Sequence, residues 1–583
     1  MKKVHLEYFI YQIKLKYNLQ QNIFYQHLIP NFDSKLFKKM LRFFCIICVF
    51  LVFNCQSNFL DNNSSKPKII VGVVVDQMRY DYLTRLENKF TEHGFNRLIN
   101  DGFNCTNNHY NFVPTVTGPG HSSIATGSTP SVHGIVGNEW YVRNLRKNIY
   151  CATDLNYENI GGNAYYGKKS PNNLLVTTFA DQNRIQNKMK SKTISISIKD
   201  RGAIFMGGKN ANAAYWFYGK NKGEWITSSF YMNELPSWVK KFNEPENISR
   251  FLNEWELLYD LKSYDLKRED NNDFEIFFKG KDDSSFPYLT KNLMEKNDGF
   301  DMISETPFGN SMTTDFAIAA IEGEKLGDDE YTDVLTISYS STDYIGHNFG
   351  VFSLETEDAY LRLDLEIKRL LDYLDNKMGK NNYSLFLTAD HGALEVPAYL
   401  NSKGVKATSV NKYKFSKSII EYLDETFGSK KIIEHSINNH IYINYDEVNS
   451  LDLNMDLVKE KIVNHLKTYE FINSAYLLDD VMSSSKLTGY QELIKNGYHP
   501  ERSGDIVFVL KPNTIIYGDR GTTHGSGYDY DTHVPLIFYG NGINKGETRV
   551  RTEITDIAPT INALLGLKTS ETYSGKILDF VIK

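Results

Sequence analysis

Lys68-Ile-Ile-Val-Gly-Val-Val-Val75, closed by Asp76, is the stretch that decides the fold class of this chain. Nearly every position is β-branched and none alternates with a polar residue, so the run reads as a strand buried on both faces. Three further runs share this character: Val334 to Tyr339, Tyr383 to Leu387 and Val534 to Tyr539. Between the second and third, Leu361, Leu365, Ile367, Leu370, Leu371 and Leu374 recur at spacings near three and four, which predicts a helix. Glu355, Glu357 and Asp358 lie in its first turn, where carboxylates suit the helix dipole. Strands alternating with helices predict an α/β domain with a mainly parallel central sheet flanked by helices.

Polar residues cluster just beyond these strands. Asp76 ends the first, Asp343 follows the second, and Asp390-His391 follow the third. Ligands of open α/β sheets bind outside the carboxyl ends of the strands, so these distant residues are expected to converge. Two stretches interrupt the pattern and are expected to be insertions, at about 143–330 and 397–515. The first contains a strand-like segment, Thr193 to Ile198, followed by Lys199-Asp200-Arg201. Ile554 to Leu567 reads as a closing helix, and the chain has no internal repeat.

Composition narrows the function classes. A chain of 583 residues can bury a large core. Its 65 basic and 71 acidic side chains are spread evenly, without the basic stripe that nucleic-acid binding requires. Lys38, Lys39 and Arg42 precede the apolar run Phe43 to Phe53, and Cys55 follows, an order that reads as an export signal. The run is shorter than the roughly 20 residues of a transmembrane helix. Residues 1–39 read as an upstream extension ahead of Met40, 40–55 as the signal, 56–67 as a polar linker and 68–583 as the globular body. Val52-Phe53-Asn54-Cys55 resembles a bacterial lipobox, with Asn54 departing from the small residue expected there. The expected location is periplasmic or outer-membrane-anchored, with Cys55 as the position for a lipid anchor. Cys45 and Cys48 fall inside the signal, which leaves Cys105 and Cys151 in the body, with a disulfide between them open. A metal would have to be held by histidines and carboxylates.

The spacings allow that. Asp343-Tyr-Ile-Gly-His347 places a carboxylate and an imidazole on one face of a helical turn. Asp390 and His391 can both reach an ion from a tight turn, and His524 lies in the glycine-rich Thr523-His524-Gly525-Ser526-Gly527. Each has an ordinary structural reading alone; together at strand ends they point to a catalytic site with N and O ligands. The order Asp76, Thr117, Asp343-x-x-x-His347, Asp390-His391 and His524 resembles the alkaline phosphatase superfamily over most of the chain after residue 67.

That resemblance implies an alkaline-phosphatase-like fold and two Zn2+ per chain. It assigns Asp343, His347 and His524 to one ion, and Asp76, Asp390, His391 and the Thr117 oxygen to the other. Paired metals about 4 Å apart stabilise the entering and leaving oxygens of an in-line displacement, and a zinc-bound hydroxyl loses its proton more readily. The nucleophile is implied to be Thr117, in Pro114-Thr-Val-Thr117-Gly-Pro-Gly-His121, where a helix opens and its N-terminus suits a phosphate. Thr115, His121, His133 and His533 are expected to be structural or supporting.

Lys199 and Arg201 bear on the substrate. A phosphate monoester is a dianion, so a cation pair aimed at its extra oxygen favours it over a diester. Ser195-Ile-Ser-Ile-Lys-Asp-Arg-Gly-Ala-Ile resembles the threonine-nucleophile, phosphate-irrepressible branch of bacterial alkaline phosphatases. In that branch a Lys-x-Arg pair and an Asn contact the phosphoryl group; Asn138, in Val136-Gly137-Asn138-Glu139-Trp140, matches the Asn. The expectation is therefore an exported zinc phosphatase that hydrolyses small phosphate monoesters through a phosphothreonine. The alternatives are a nucleotide pyrophosphatase/phosphodiesterase of the same superfamily and a non-catalytic phosphate-binding lipoprotein. A sulfatase is excluded by the lack of a Cys-x-Pro-x-Arg segment.

Overall fold

The computed structural model describes residues 66–583 apart from 163, 164, 221 and 266. The extension, the signal, Cys55 and the linker up to residue 65 lie outside the described residues. Within them, the strands of the central sheet before the second insertion are β1 (Ile69–Val75), β2 (Phe103–Cys105), β3 (Asn159–Ile160), β4 (Thr193–Ser197), β5 (Ala213–Tyr218), β6 (Glu224–Ser228), β7 (Asp333–Tyr339) and β8 (Tyr383–Thr388). A separate small sheet contains β9 (Ile433–Ile437), β10 (His440–Ile443), β11 (Ile472–Leu477) and β12 (Ile506–Leu510). The chain then returns to the central sheet with β13 (Leu536–Gly540) and β14 (Gly546–Thr548).

The ten central strands run in the order β14-β2-β13-β8-β1-β7-β4-β5-β6-β3. Five neighbours, β8, β1, β7, β4 and β5, are parallel. Every residue of β1 is buried, as its unbroken apolar run requires. Its register sets Val75 opposite Tyr339 and Val74 opposite Thr388, so three strands end level with one another.

Two features differ from the sequence expectation. The run expected at Val534 to Tyr539 begins as a strand at Leu536 and pairs antiparallel with β8, Leu536 lying opposite Thr388. The chain reaches it from the loop bearing His524, already at the carboxyl edge of the sheet, so no crossover helix is needed. Part of the 143–330 stretch is also central: β4, β5 and β6 extend the sheet. Ser and Thr inside β4 do not prevent its burial, because their hydroxyls pair across strands; Thr336 Oγ1 donates to Ser195 Oγ at 2.6 Å.

The helices that matter for the site are α1 (Thr117–Thr126), α2 (Asp200–Gly207), α3 (Phe308–Glu324), α4 (Ser341–Phe349) and α5 (Leu354–Met378). Ser353 caps α5 by accepting from the Thr356 N–H at 3.0 Å. Asp358, in the first turn, is buried and accepts from Trp255 Nε1, the Leu258 N–H and Tyr264 Oη. The acidic turn thus anchors the 143–330 stretch as well as facing the helix dipole. Against the small sheet pack α6 (Lys412–Phe427) and α7 (Met455–Leu466), with Phe415, Leu423, Ile462 and Phe508 in a core of their own. The closing helix α8 spans Ile557–Leu564. Cys105 and Cys151 are both buried and free. No helix among the described residues is long and apolar enough to cross a membrane.

Candidate active site

Four adjacent parallel strands deliver the polar residues to one place. Beyond β8 come Asp390 and His391, beyond β1 Asp76, beyond β7 Asp343 in the first turn of α4, and beyond β4 Lys199. Asp343 and His347 do share a helix face, with His347 Nε2 3.3 Å from Asp343 Oδ1. His524 Nε2 lies 3.6 Å from the same oxygen. On the other side, His391 Nε2 is 3.5 Å from Asp76 Oδ1 and 3.4 Å from Asp390 Oδ2. The His391 and His524 rings stack with centroids 3.5 Å apart, so the two groups adjoin.

These donors fit metal ions. Two sets, Asp343 with His391 and His524, and Asp76 with Asp390 and His391, have ligand atoms mutually within 4.8 Å. Tetrahedral zinc with bonds near 2.1 Å separates its ligands by about 3.4 Å. All three imidazoles are also oriented the same way. Their Nδ1 atoms lie 2.7, 2.8 and 3.0 Å from the carbonyl oxygens of Thr522, Thr115 and Gly392, for His347, His524 and His391 respectively. Binding Nδ1–H to a carbonyl fixes the tautomer and leaves Nε2 as the lone-pair donor. Asp76 Oδ1, Asp390 Oδ2 and His391 Nε2 are buried without a hydrogen-bond partner, which a cation would relieve.

The electrostatics agree. Burial, and then repulsion from Asp390, raises Asp76 well above the usual carboxylate range. Burial and the neighbouring His391 hold His524 well below its ordinary value, which keeps it in the neutral, ligating form. His347 goes the other way: burial opposes a charge there, but the adjacent Asp343 outweighs it. Lys199 Nζ sits 2.7 Å from Asp76 Oδ2 and also pairs with Asp343. Burial disfavours its charge, yet those two carboxylates raise its pKa. The lysine expected to meet phosphate is therefore turned toward the carboxylates.

Thr117 is the first residue of α1 and is buried; Val116 before it is extended. Arg201 Nη2 donates to Thr117 Oγ1 at 3.4 Å. Asn138 joins them, accepting from the Gly118 N–H at 2.7 Å. His121 fills a supporting place: its Nδ1 is 3.0 Å from the Thr117 carbonyl and its Nε2 2.8 Å from Ser338 Oγ. Thr115 donates to the Ser526 carbonyl at 2.7 Å, while His133 and His533 bond Ser123 and Thr106. Gly120 permits the close approach of α1 to the β8 loop. A Cβ there would stand 2.4 Å from the Asp390 carbonyl oxygen, so the helix advantage of alanine is unavailable at this position.

Three contributors carried no sequence signal. Gln77, in the left-handed region at φ 64°, donates its backbone N–H to Asp390 and its amide to Asp343 Oδ1 at 2.6 Å. It bridges carboxylates of both groups. Tyr150 donates to Asp200 and accepts from Arg201 Nη1, while Lys169 pairs with Asp200. Asp531 Oδ2 accepts from Gly525 N, Ser526 N and Ser526 Oγ, and its carbonyl accepts from Gly392 N. One residue thereby ties the His524 loop to the His391 loop; burial pushes its carboxyl up to about 7.

Comparison with known proteins agrees with this geometry. The family described as type I phosphodiesterase / nucleotide pyrophosphatase matches residues 70–534. A Myroides odoratus protein named calcium-transporting ATPase is 42% identical over 508 residues, 86% of this chain and 92% of that protein. Alkaline phosphatase PhoV of Synechococcus elongatus is 39% identical over 532 residues, 91% of this chain and 95% of that protein. The crystal structure of wild-type alkaline phosphatase PafA matches with a TM-score of 0.85 at 38% identity, covering 89% of this chain and 99% of that one.

Proposed function

The chain belongs to the type I phosphodiesterase / nucleotide pyrophosphatase family, within the alkaline phosphatase superfamily, and is an alkaline phosphatase; on that premise we propose that it hydrolyses phosphate monoesters through a phosphothreonine on Thr117, with two zinc ions as cofactors. The observation that carries this reading is the Arg201 guanidinium 3.4 Å from the Thr117 hydroxyl, beside converging carboxylate and imidazole donors. Zinc held by Asp343, His347 and His524, and by Asp76, Asp390, His391 and the Thr117 oxygen, would supply Lewis-acid charge to the entering and leaving oxygens.

The chain's own groups do the rest. Thr117 Oγ forms a bond to phosphorus as the bond to the alcohol oxygen breaks; the threonine proton passes to solvent water, and solvent water protonates the departing alcohol oxygen. Water then attacks phosphorus, breaking the bond to Thr117; the threonine oxygen takes up the proton the water gives up, and phosphate is released. Arg201 and Asn138 hold the non-bridging oxygens, and Tyr150 with Asp200 fixes the plane of the guanidinium. The same tyrosine and aspartate keep Arg201 extended toward Thr117.

Selectivity for monoesters over diesters is assigned to Arg201. Arg201→Ala is expected to lower kcat/KM on a monoester by about 100-fold or more, and on a diester by under about tenfold. Equal losses on both, measured in parallel, would transfer the reading to the phosphodiesterase branch.

We also propose export to the periplasm or outer membrane, supported by Lys38, Lys39, Arg42, the apolar run Phe43 to Phe53 and Cys55. Cys55→Ser is expected to move the activity from the membrane fraction to the soluble exported fraction. Activity confined to the cytosol in both forms would end this proposal.

A further inference from the structure

The 397–515 stretch places a second cavity beside the phosphoryl site. The hairpin of β9 and β10 turns at Asn438 and Asn439, both left-handed at φ 53° and 60°, as a tight two-residue turn requires. That turn touches the site, because Asn438 Nδ2 donates to the Glu139 carbonyl at 2.7 Å, one residue from Asn138. Both asparagines line a cleft of about 180 Å³ that also includes Val116, His524 and Ile516. They equally line a larger chamber of about 550 Å³ behind the hairpin. Asn438, Asn439 and Ile516 belong to both walls, so cleft and chamber adjoin.

The chamber's chemistry differs from that of the phosphoryl site. Phe415, Ile419, Ile433, Ile437, Ile441 and Phe508 form one apolar wall, and Lys412, Glu434 and His435 contribute a polar side. Its size lies within the roughly 300–1,000 Å³ typical of small-molecule sites. In an in-line displacement the alcohol departs on the side opposite Thr117, and in the assignment above that side belongs to His524. The cleft is lined by His524 and shares Asn438, Asn439 and Ile516 with the chamber.

We propose that this chamber is the subsite for the alcohol portion of the substrate, and that the favoured esters carry an extended apolar group. The proposal rests on the phosphomonoesterase reading. Linear primary alkyl phosphates test it well, since their alcohols have nearly equal acidity and only the buried area changes. Each methylene removed from water is worth a factor of about four at most. From ethyl to decyl phosphate, kcat/KM is expected to rise at least about tenfold before levelling off. The double variant Ile437→Ser, Ile516→Ser, both half-buried positions, is expected to flatten that rise.

Alkylphosphonates of the same lengths, as inhibitors of the wild-type protein, repeat the comparison without any variant: inhibition should tighten with chain length in parallel. A flat dependence on length in both series, with ethyl phosphate hydrolysed, would overturn the subsite and leave the phosphatase reading intact. Failure to hydrolyse any member of the series would overturn the phosphatase reading itself. A rise that persists unchanged in a folded double variant would place the apolar contact elsewhere and also overturn the subsite.

Discussion

Thr117→Ala is expected to lower kcat on phosphate monoesters by on the order of 10³-fold or more, with the fold retained. The hydroxyl sits at the first residue of α1, 3.4 Å from Arg201, within a helix start whose amides suit an anion. In the proposed mechanism, removing it deletes the atom that accepts the phosphoryl group, so water would have to attack directly in a site shaped for a side-chain oxygen. The structural cost is small by comparison: one methyl group and one hydroxyl are lost at a buried position, roughly 1–2 kcal/mol. Thr117→Ser keeps the oxygen and should retain activity within about tenfold. Acid quenching during turnover should trap labelled phosphate on the wild-type and serine forms but not on the alanine form. Near-wild-type turnover by Thr117→Ala, or trapped label on it, would remove Thr117 from the mechanism.

Chelation should produce the second large effect. Stripping divalent cations is expected to reduce monoester hydrolysis by more than about 100-fold, and zinc should restore it at about two ions per chain. The second readout is thermal. Asp76, Asp343 and Asp390 are buried together, and burial with mutual repulsion already raises Asp76. A cation bound there at a thousand times its dissociation constant stabilises the fold by about 4 kcal/mol. Lys199 offsets part of that charge by pairing with Asp76 and Asp343, so the stripped protein should stay folded but melt earlier. Unchanged turnover and unchanged melting in a chelator, with no metal in the purified protein, would refute the donor assignment.

Parts of this site were legible in the chain before folding was considered. Asp76, Asp343 and Asp390 stand after runs whose burial follows from side-chain type alone, and strand direction carries such residues to one edge. The spacing of Asp343 and His347 is a helical repeat, and α4 realises it. Gln77 was not legible, because its partners lie 313 and 266 residues away and a glutamine after a strand has no pattern of its own. Tyr150, which meets Asp200 and Arg201, and Asp531, whose carbonyl meets the Gly392 N–H, likewise belong to no local sequence pattern. Lys199 was legible as a cation near the site, but not as a partner of the two buried carboxylates Asp76 and Asp343.

What the sequence by itself determined, then, is three of the buried parallel strands, β1, β7 and β8, the helical repeat of α5 and the residue types available at the strand ends. These follow from short-range rules: apolar runs bury, helical repeats align side chains, and glycine and proline mark turns. Only the tertiary structure decided which residues meet. It brought His391 between the two donor groups, turned β13 antiparallel, drew β4 to β6 into the central sheet, and laid the Asn438-Asn439 turn against the Asn138 loop. Those outcomes depend on packing between segments far apart in the chain, where the free energy of contact lies in matched surfaces that no local pattern encodes.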